Sequence, residues 1–180
     1  MRKRITKVIT KMGDGGTTSM GDGSRVSKSS LMIGAIGELD ELNSWLGLLS
    51  GLKELHDQKK LLFSIQNCLF DIGGVLTTNS NVPLDTIHLD NLETETKGLN
   101  EKLSDLDNFV LPGGSESSSF IHIARTVCRR TERSLINANE LEKIEKSCLI
   151  YINRLSDYLF VLARKVNLDL GSKELLWKQE

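Results

Sequence analysis

Three arginines in the stretch FIHIARTVCRRTER, Phe120 to Arg133, have the spacing most suggestive of chemistry. Arg125, Arg129 and Arg133 stand at i, i+4 and i+8, so on a helix they form one cationic stripe. Ile121, Ala124, Cys128, Thr131 and Leu135 follow the alternating three-and-four spacing of a packing seam beside it. Arg130 and Glu132 fill the margins. Like charges one turn apart cost roughly 0.2–0.5 kcal/mol per pair. Aligned guanidinium groups therefore call for an anion, either carboxylates or phosphates; the alternative is a solvated basic face.

A second candidate lies near the N-terminus. Thr10 to Ser24 reads TKMGDGGTTSMGDGS, with Gly13, Gly15, Gly16, Gly21 and Gly23 inside one short run. Such a run forms neither a stable helix nor a central strand. It is either a disordered arm or a loop whose backbone N–H groups wrap an anion. The GxxxxGK[ST] pattern is missing, so it is no Walker A loop. Arg25 and Lys28 follow directly and supply cations.

Other chemistry is thinly represented. His56, His88 and His122 fall on different elements, and only His122 is near the arginines. No nucleophile–base set and no paired carboxylates stand out. Arginines, a Gly/Thr loop, a lysine and an asparagine suit polyphosphate binding and leaving-group stabilisation.

These groups need a scaffold, and the pattern supplies helices. With 180 residues, 39% hydrophobic and 26% charged, the chain can bury one core. Net charge is −1, which argues against a nucleic-acid or anionic-membrane partner. Pro83 and Pro112 fall between apolar-periodic segments. The spacing predicts helices over Met32–Leu55, Gln58–Leu76, Leu84–Leu106, Phe120–Asn139 and Glu142–Leu170. Gly73 and Gly74 mark close packing or fraying of the second. Asn153 and Asp157 share a polar side of the fifth, and the first carries Glu38, Asp40 and Glu41, a solvated acidic face or a partner for the arginines. The expectation is an all-α fold, a five-helix bundle over 31–180, with residues 1–30 as an N-terminal segment of the same domain. No run of 18 apolar residues occurs. Cys68, Cys128 and Cys148 read as buried thiols of a reducing compartment, with the cytoplasm as default.

Five blocks together resemble a known family. Thr10-Lys-Met-Gly-Asp-Gly-Gly-Thr-Thr18, Gly37-Glu-Leu-Asp-Glu-Leu-Asn-Ser44, Phe109-Val-Leu-Pro-Gly-Gly-Ser115, Arg125 to Arg133 and Tyr151-Ile-Asn-Arg-Leu-Ser-Asp157 are similar, in order and spacing, to the PduO-type ATP:cob(I)alamin adenosyltransferases. The resemblance implies a homotrimeric five-helix bundle with its sites between subunits. It implies transfer of the 5′-deoxyadenosyl group of ATP to the cobalt of cob(I)alamin, with release of triphosphate. The cofactor's own Co(I) is then the nucleophile, which matches a chain without one.

Carried over by motif, Thr10, Lys11, Gly13, Asp14, Gly15, Gly16, Thr17, Thr18 and Lys28 would wrap the triphosphate with Mg²⁺. Arg129, Arg130, Glu132, Arg133 and Asn153 would hold the nucleotide, with Arg129 and Arg133 addressing the leaving group. Asp40 resembles the carboxylate that pairs with the arginine stripe across the subunit interface. Phe109 resembles the aromatic on the lower face of the corrin, where it excludes an axial ligand. Thr131 and Met32 depart from the family's usual residues, and the basic extension before Thr10 has no counterpart role. A corrinoid reductase and an adenosylcobalamin-dependent enzyme are the partners implied. A non-catalytic ATP- or polyphosphate-binding bundle, a sensor or cobalamin chaperone, is the alternative.

Overall fold

The computed structural model describes residues 9–78, 80 and 82–179. The basic stretch before Ile9, and Asn79 and Asn81 of the TTNSNVP loop, lie outside the described residues. Among those described, five α-helices form the bundle: α1 Leu31–Ser50, α2 Lys59–Thr78, α3 Thr86–Asn100, α4 Glu116–Asn139 and α5 Lys146–Asp169. A short two-stranded antiparallel ribbon, β1 Thr17–Ser19 and β2 Arg25–Ser27, precedes them. α4 packs most extensively on α5 and then on α1, so the arginine helix is central to the fold.

Side-chain caps fix the helix starts. Ser30, Asp85 and Ser115 accept hydrogen bonds from the backbone N–H groups of Ile33, Ile87 and Ser118. α4 therefore begins at Glu116, earlier than the apolar spacing alone indicated. α1 stops at Ser50 because Gly51 caps it, and Lys53–Gln58 continues as a 3-10 turn instead of extending the helix to Leu55. α3 ends at Asn100, short of Leu106. α5 starts after Glu145, which caps it, instead of at Glu142.

The seams predicted from spacing are inside. Leu39, Leu42, Leu46 and Leu49 of α1 meet Ile121, Cys128 and Leu135 of α4 and Ile152, Leu155, Leu159 and Leu162 of α5 in one core. The three cysteines are free and buried, and burial pushes the Cys68 thiol up to about 12 and Cys148 to about 11. Met32 is a core residue. Thr131 is also buried, and its hydroxyl reaches the carbonyl of Glu38 on α1 at 3.1 Å. Within the 26-residue run Lys53–Thr78 an 18-residue stretch reaches a mean hydropathy of 1.3, a value compatible with crossing a membrane. Here Leu62, Ile65, Leu69, Ile72 and Leu76 spend that apolarity on the bundle core.

Candidate active site

The glycine-rich run is a shaped loop, not a loose arm. Its ribbon closes with Met20 N–H on the Ser24 carbonyl at 2.9 Å and Lys28 N–H on the Gly16 carbonyl at 2.9 Å. Gly16 has φ +79, a conformation other residues adopt at a cost. The ribbon is tied to α2 where Gly21 N–H donates to the Thr77 carbonyl at 2.8 Å. A side chain at Gly21 would collide with Thr77, which explains the glycine. Lys28 folds back over the turn, its Nζ 3.0 Å from where a Cβ on Gly13 would stand. Lys28, Thr18, Asp40 and Asn43 edge a mostly apolar cavity of about 670 Å³ between the ribbon, α1 and α2. Gly73 and Gly74 line this cavity, with nothing within 4 Å of a Cβ at either, so they open space instead of allowing close helix packing.

The acidic cluster divides. Arg130 donates from Nε to Glu38 at 2.6 Å and from Nη2 to Glu41, bracing α4 against α1. Arg130 thus has carboxylate partners inside its own chain, a commitment the sequence reading did not assign to it. Asp40 is exposed and makes no ion pair among the described residues.

Arg129 and Arg133 are exposed and have no carboxylate within salt-bridge distance among the described residues. Arg133 Nη1 donates to the Arg129 carbonyl at 3.0 Å, which lays its guanidinium along the helix. Asn153 of α5 donates to Glu132 at 2.9 Å and accepts from Arg154 at 3.0 Å. Asp157 lies in the same groove. Burial raises its pKa, Arg154 and Arg129 oppose the rise, and Glu132 adds to it. Glu132 and Asn153 are therefore joined across α4 and α5, with the Arg129 charge felt at Asp157. The ribbon and Lys28 are not brought to them: Arg129 and Arg133 line neither this cavity nor the one described next.

Phe109 stands on a second, long-range construction. Its ring is 79% exposed, an unusual state for an aromatic side chain held in a fixed loop. The C-terminal tail runs antiparallel to it: Trp177 N–H donates to the Phe109 carbonyl at 2.7 Å, and Leu111 N–H to the Leu175 carbonyl at 2.7 Å. The Trp177 ring meets Phe109 edge-on at 6.4 Å. The tail is anchored by Glu174, which accepts from Arg164, a guanidinium buried to 4% exposure that also holds the Ser104 carbonyl at 2.9 Å. The turn after Phe109 is gripped by Asn167, 1% exposed. Its Oδ1 accepts from Ser115 N–H and Oγ, and its Nδ2 donates to the Gly113 carbonyl at 3.0 Å. Gly114, at φ +102, has no room for a Cβ against that amide.

Phe109, Arg125 and Phe160 wall a cavity of about 620 Å³. Arg125 lies over the Phe160 ring, 6.0 Å from its centroid. Sequence reasoning placed Arg125 on the stripe but gave it no role, and it missed Phe160, Asn167, Arg164 and Trp177. The i, i+4, i+8 spacing was the available signal for Arg125. Nothing local marks the others.

A helical bundle with a glycine-rich ribbon, exposed arginines on its central helix and an exposed aromatic beside a second cavity is suited to binding an anionic ligand and a large partly apolar one. The comparisons specify it further: residues 8–166 match the profile of the family described as Cobalamin adenosyltransferase, and the chain belongs to that family. It is 45% identical over 181 residues to a cobalamin adenosyltransferase of Cupriavidus metallidurans, covering 100% of this chain and 98% of the relative. It is 41% identical over 172 residues to a corrinoid adenosyltransferase of Bacillus subtilis, covering 92% and 89%. Among solved structures it is similar to a phenylalanine-to-alanine variant of the PduO-type ATP:corrinoid adenosyltransferase from Lactobacillus reuteri complexed with cobalamin and ATP. That match has a TM-score of 0.87 at 32% identity, covering 96% of this chain and 100% of the other. An arginine-to-lysine variant of the same enzyme complexed with ATP matches with a TM-score of 0.86 at 33% identity, covering 95% and 100%.

Proposed function

We propose that this chain transfers the 5′-deoxyadenosyl group of ATP to the cobalt of cob(I)alamin, giving adenosylcobalamin and triphosphate. The observation that carries this reading is the near-complete structural match to a PduO-type enzyme solved with both cobalamin and ATP. In the reaction the electron pair of Co(I) forms the cobalt–C5′ bond. The C5′–oxygen bond breaks, and triphosphate leaves with its electrons.

The protein's part is positioning and electrostatics. Backbone N–H groups of the Thr10–Thr18 ribbon and the Lys28 ammonium take the triphosphate. Arg129 and Arg133, one turn apart, donate to it as its charge grows. The Glu132–Asn153 pair holds the rest of the nucleotide. Mg²⁺ would enter with ATP as the companion of its phosphates. Phe109 offers the lower face of the corrin a ring without a lone pair, which leaves cobalt without an axial ligand there. We assign completion of the site to a second copy, with Asp40 meeting the arginine stripe across the interface; the reading is supported by Lys28 and Asp40 lining a cavity that, among the described residues, Arg129 and Arg133 do not line. The assembly we assign is a homotrimer. We assign it to the cytoplasm, where ATP and a reducing poise support the reading, with a reductase upstream and an adenosylcobalamin-dependent enzyme downstream.

The test is anaerobic. Pre-reduced cob(I)alamin and Mg·ATP are mixed with the protein, loss of the Co(I) absorbance is followed, and intact triphosphate is assayed. ATP binding without a cobalt–carbon bond would leave a phosphate-binding sensor or chaperone in its place.

A further inference from the structure

His122 is 3% exposed, one turn before Arg125 on α4, and its imidazole Nε2 is the one buried side-chain polar atom without a hydrogen-bond partner among the described residues. Its other nitrogen, Nδ1, lies 3.3 Å from Arg125 Nε, which can only donate. Nδ1 must therefore be the unprotonated acceptor, and the proton of the neutral ring sits on the orphaned Nε2. Burial and the neighbouring Arg125 charge depress the His122 pKa to about 4, consistent with a neutral ring. An apolar side chain of the same size would fill this place without stranding a donor. The histidine is kept for its Nδ1.

Arg125 shows what that acceptor is for. Burial and repulsion from Arg129 both disfavour its charge, and no carboxylate among the described residues lies within ion-pair distance. The His122 bond holds Nε and leaves the Nη groups undonated among the described residues, while the guanidinium carbon lies over the Phe160 ring. His122 and Phe160 are themselves neighbours, with ring centroids 6.5 Å apart. The guanidinium so fixed forms one wall of the 620 Å³ cavity that Phe109 also lines.

We propose that His122 is a positioning residue for adenosyl transfer: its neutral imidazole, through Nδ1, fixes Arg125 as a wall of the Phe109 cavity where the corrinoid is received. This rests on the transferase reading above. His122→Phe keeps the bulk and removes the acceptor; His122→Asn places an amide oxygen near Nδ1.

With pre-reduced cob(I)alamin, the Phe variant is expected to raise the corrinoid KM roughly tenfold, the scale of a lost hydrogen bond to a charged group, with the ATP KM unchanged. The Asn variant is expected to restore most of that loss. Equal losses in both variants, or a Phe variant whose two KM values rise together, would overturn the role.

The wild-type protein gives a reading independent of variant folding. In ¹⁵N NMR at neutral pH, His122 is expected as the neutral Nε2–H tautomer; an Nδ1–H tautomer or an imidazolium would exclude the bond. Wild-type protein that leaves the Co(I) absorbance unchanged overturns the transferase reading itself. Wild-type turnover with an indifferent Phe variant overturns only the role of His122.

Discussion

Two glycine-rich segments, Thr10–Ser24 and Phe109–Ser115, serve the two substrates in the proposed reaction, and they are built on opposite plans. The first makes its own shape: its ribbon bonds stay within the segment Gly16 to Lys28, and among the described residues it is tied to the bundle by Gly21 on Thr77 and by Met20 packed against the core. The second is shaped from a distance, by Asn167, by Leu175 and Trp177 of the tail, and by the Arg164–Glu174 pair beneath the tail. Triphosphate is flexible and highly charged, so a locally folded loop of N–H donors with mobile cations around it suffices. A planar macrocycle requires one exposed aromatic at a defined height, and that demands bracing from several elements.

The contrast can be tested from the strongest lever downward. Arg133→Ala is expected to lower turnover roughly 100-fold or more, the scale of losing one donor to a developing anion. Its melting temperature should stay level, because Arg133 is exposed and makes no ion pair among the described residues. A cooperative loss of structure would make this arginine part of the bracing. Glu174→Ala removes the partner of a buried guanidinium and is expected to cost about 3 kcal/mol of stability. Denaturant melts measure that cost. The corrinoid KM should rise more than the ATP KM, and equal rises would break the assignment of the tail to one substrate.

Asn167→Ala is expected to cost about 2 kcal/mol, since Ser115 and Gly113 would be left with unmet backbone groups. Its activity loss should again be on the corrinoid side. Gly16→Ala imposes about 1 kcal/mol of strain at φ +79. It is expected to weaken ATP binding, read by calorimetry, and to spare the corrinoid KM.

Acid sensitivity supplies a further test. The folded His122 pKa is about 4 against 6.5 unfolded, so protons bind the unfolded chain first. The stability it contributes is complete above pH 6.5 and falls as pH drops toward 4. In His122→Asn, melts over that window should show a shallower decline.

The bundle was legible because periodic apolar residues in α1, α2, α4 and α5 leave few alternatives once a core must form. The end of α1 and the start of α5 were not, since a glycine or a capping side chain bounds a helix inside a continuing apolar pattern. The ribbon was read only as an irregular loop: glycine content excludes helix but does not say that Thr17–Ser19 will pair with Arg25–Ser27. Arg130 shows the limit most plainly. It sits beside Arg129 in the same motif, yet the packing of α4 on α1 delivers it to Glu38 and Glu41, while Arg129 and Arg133 make no ion pair among the described residues.

By itself the sequence determined the helical class, the phosphate-seeking residue types and the five blocks of the family, because these depend on identity and short spacing along the chain. Tertiary structure alone decided which arginine is consumed by the fold and which residues hold Phe109 out in solvent. It also decided that His122 turns its Nδ1 to Arg125 at the cavity wall. Those outcomes depend on hydrogen-bond directions and burial between residues as far apart as Asn108 and Trp177, which no local pattern encodes.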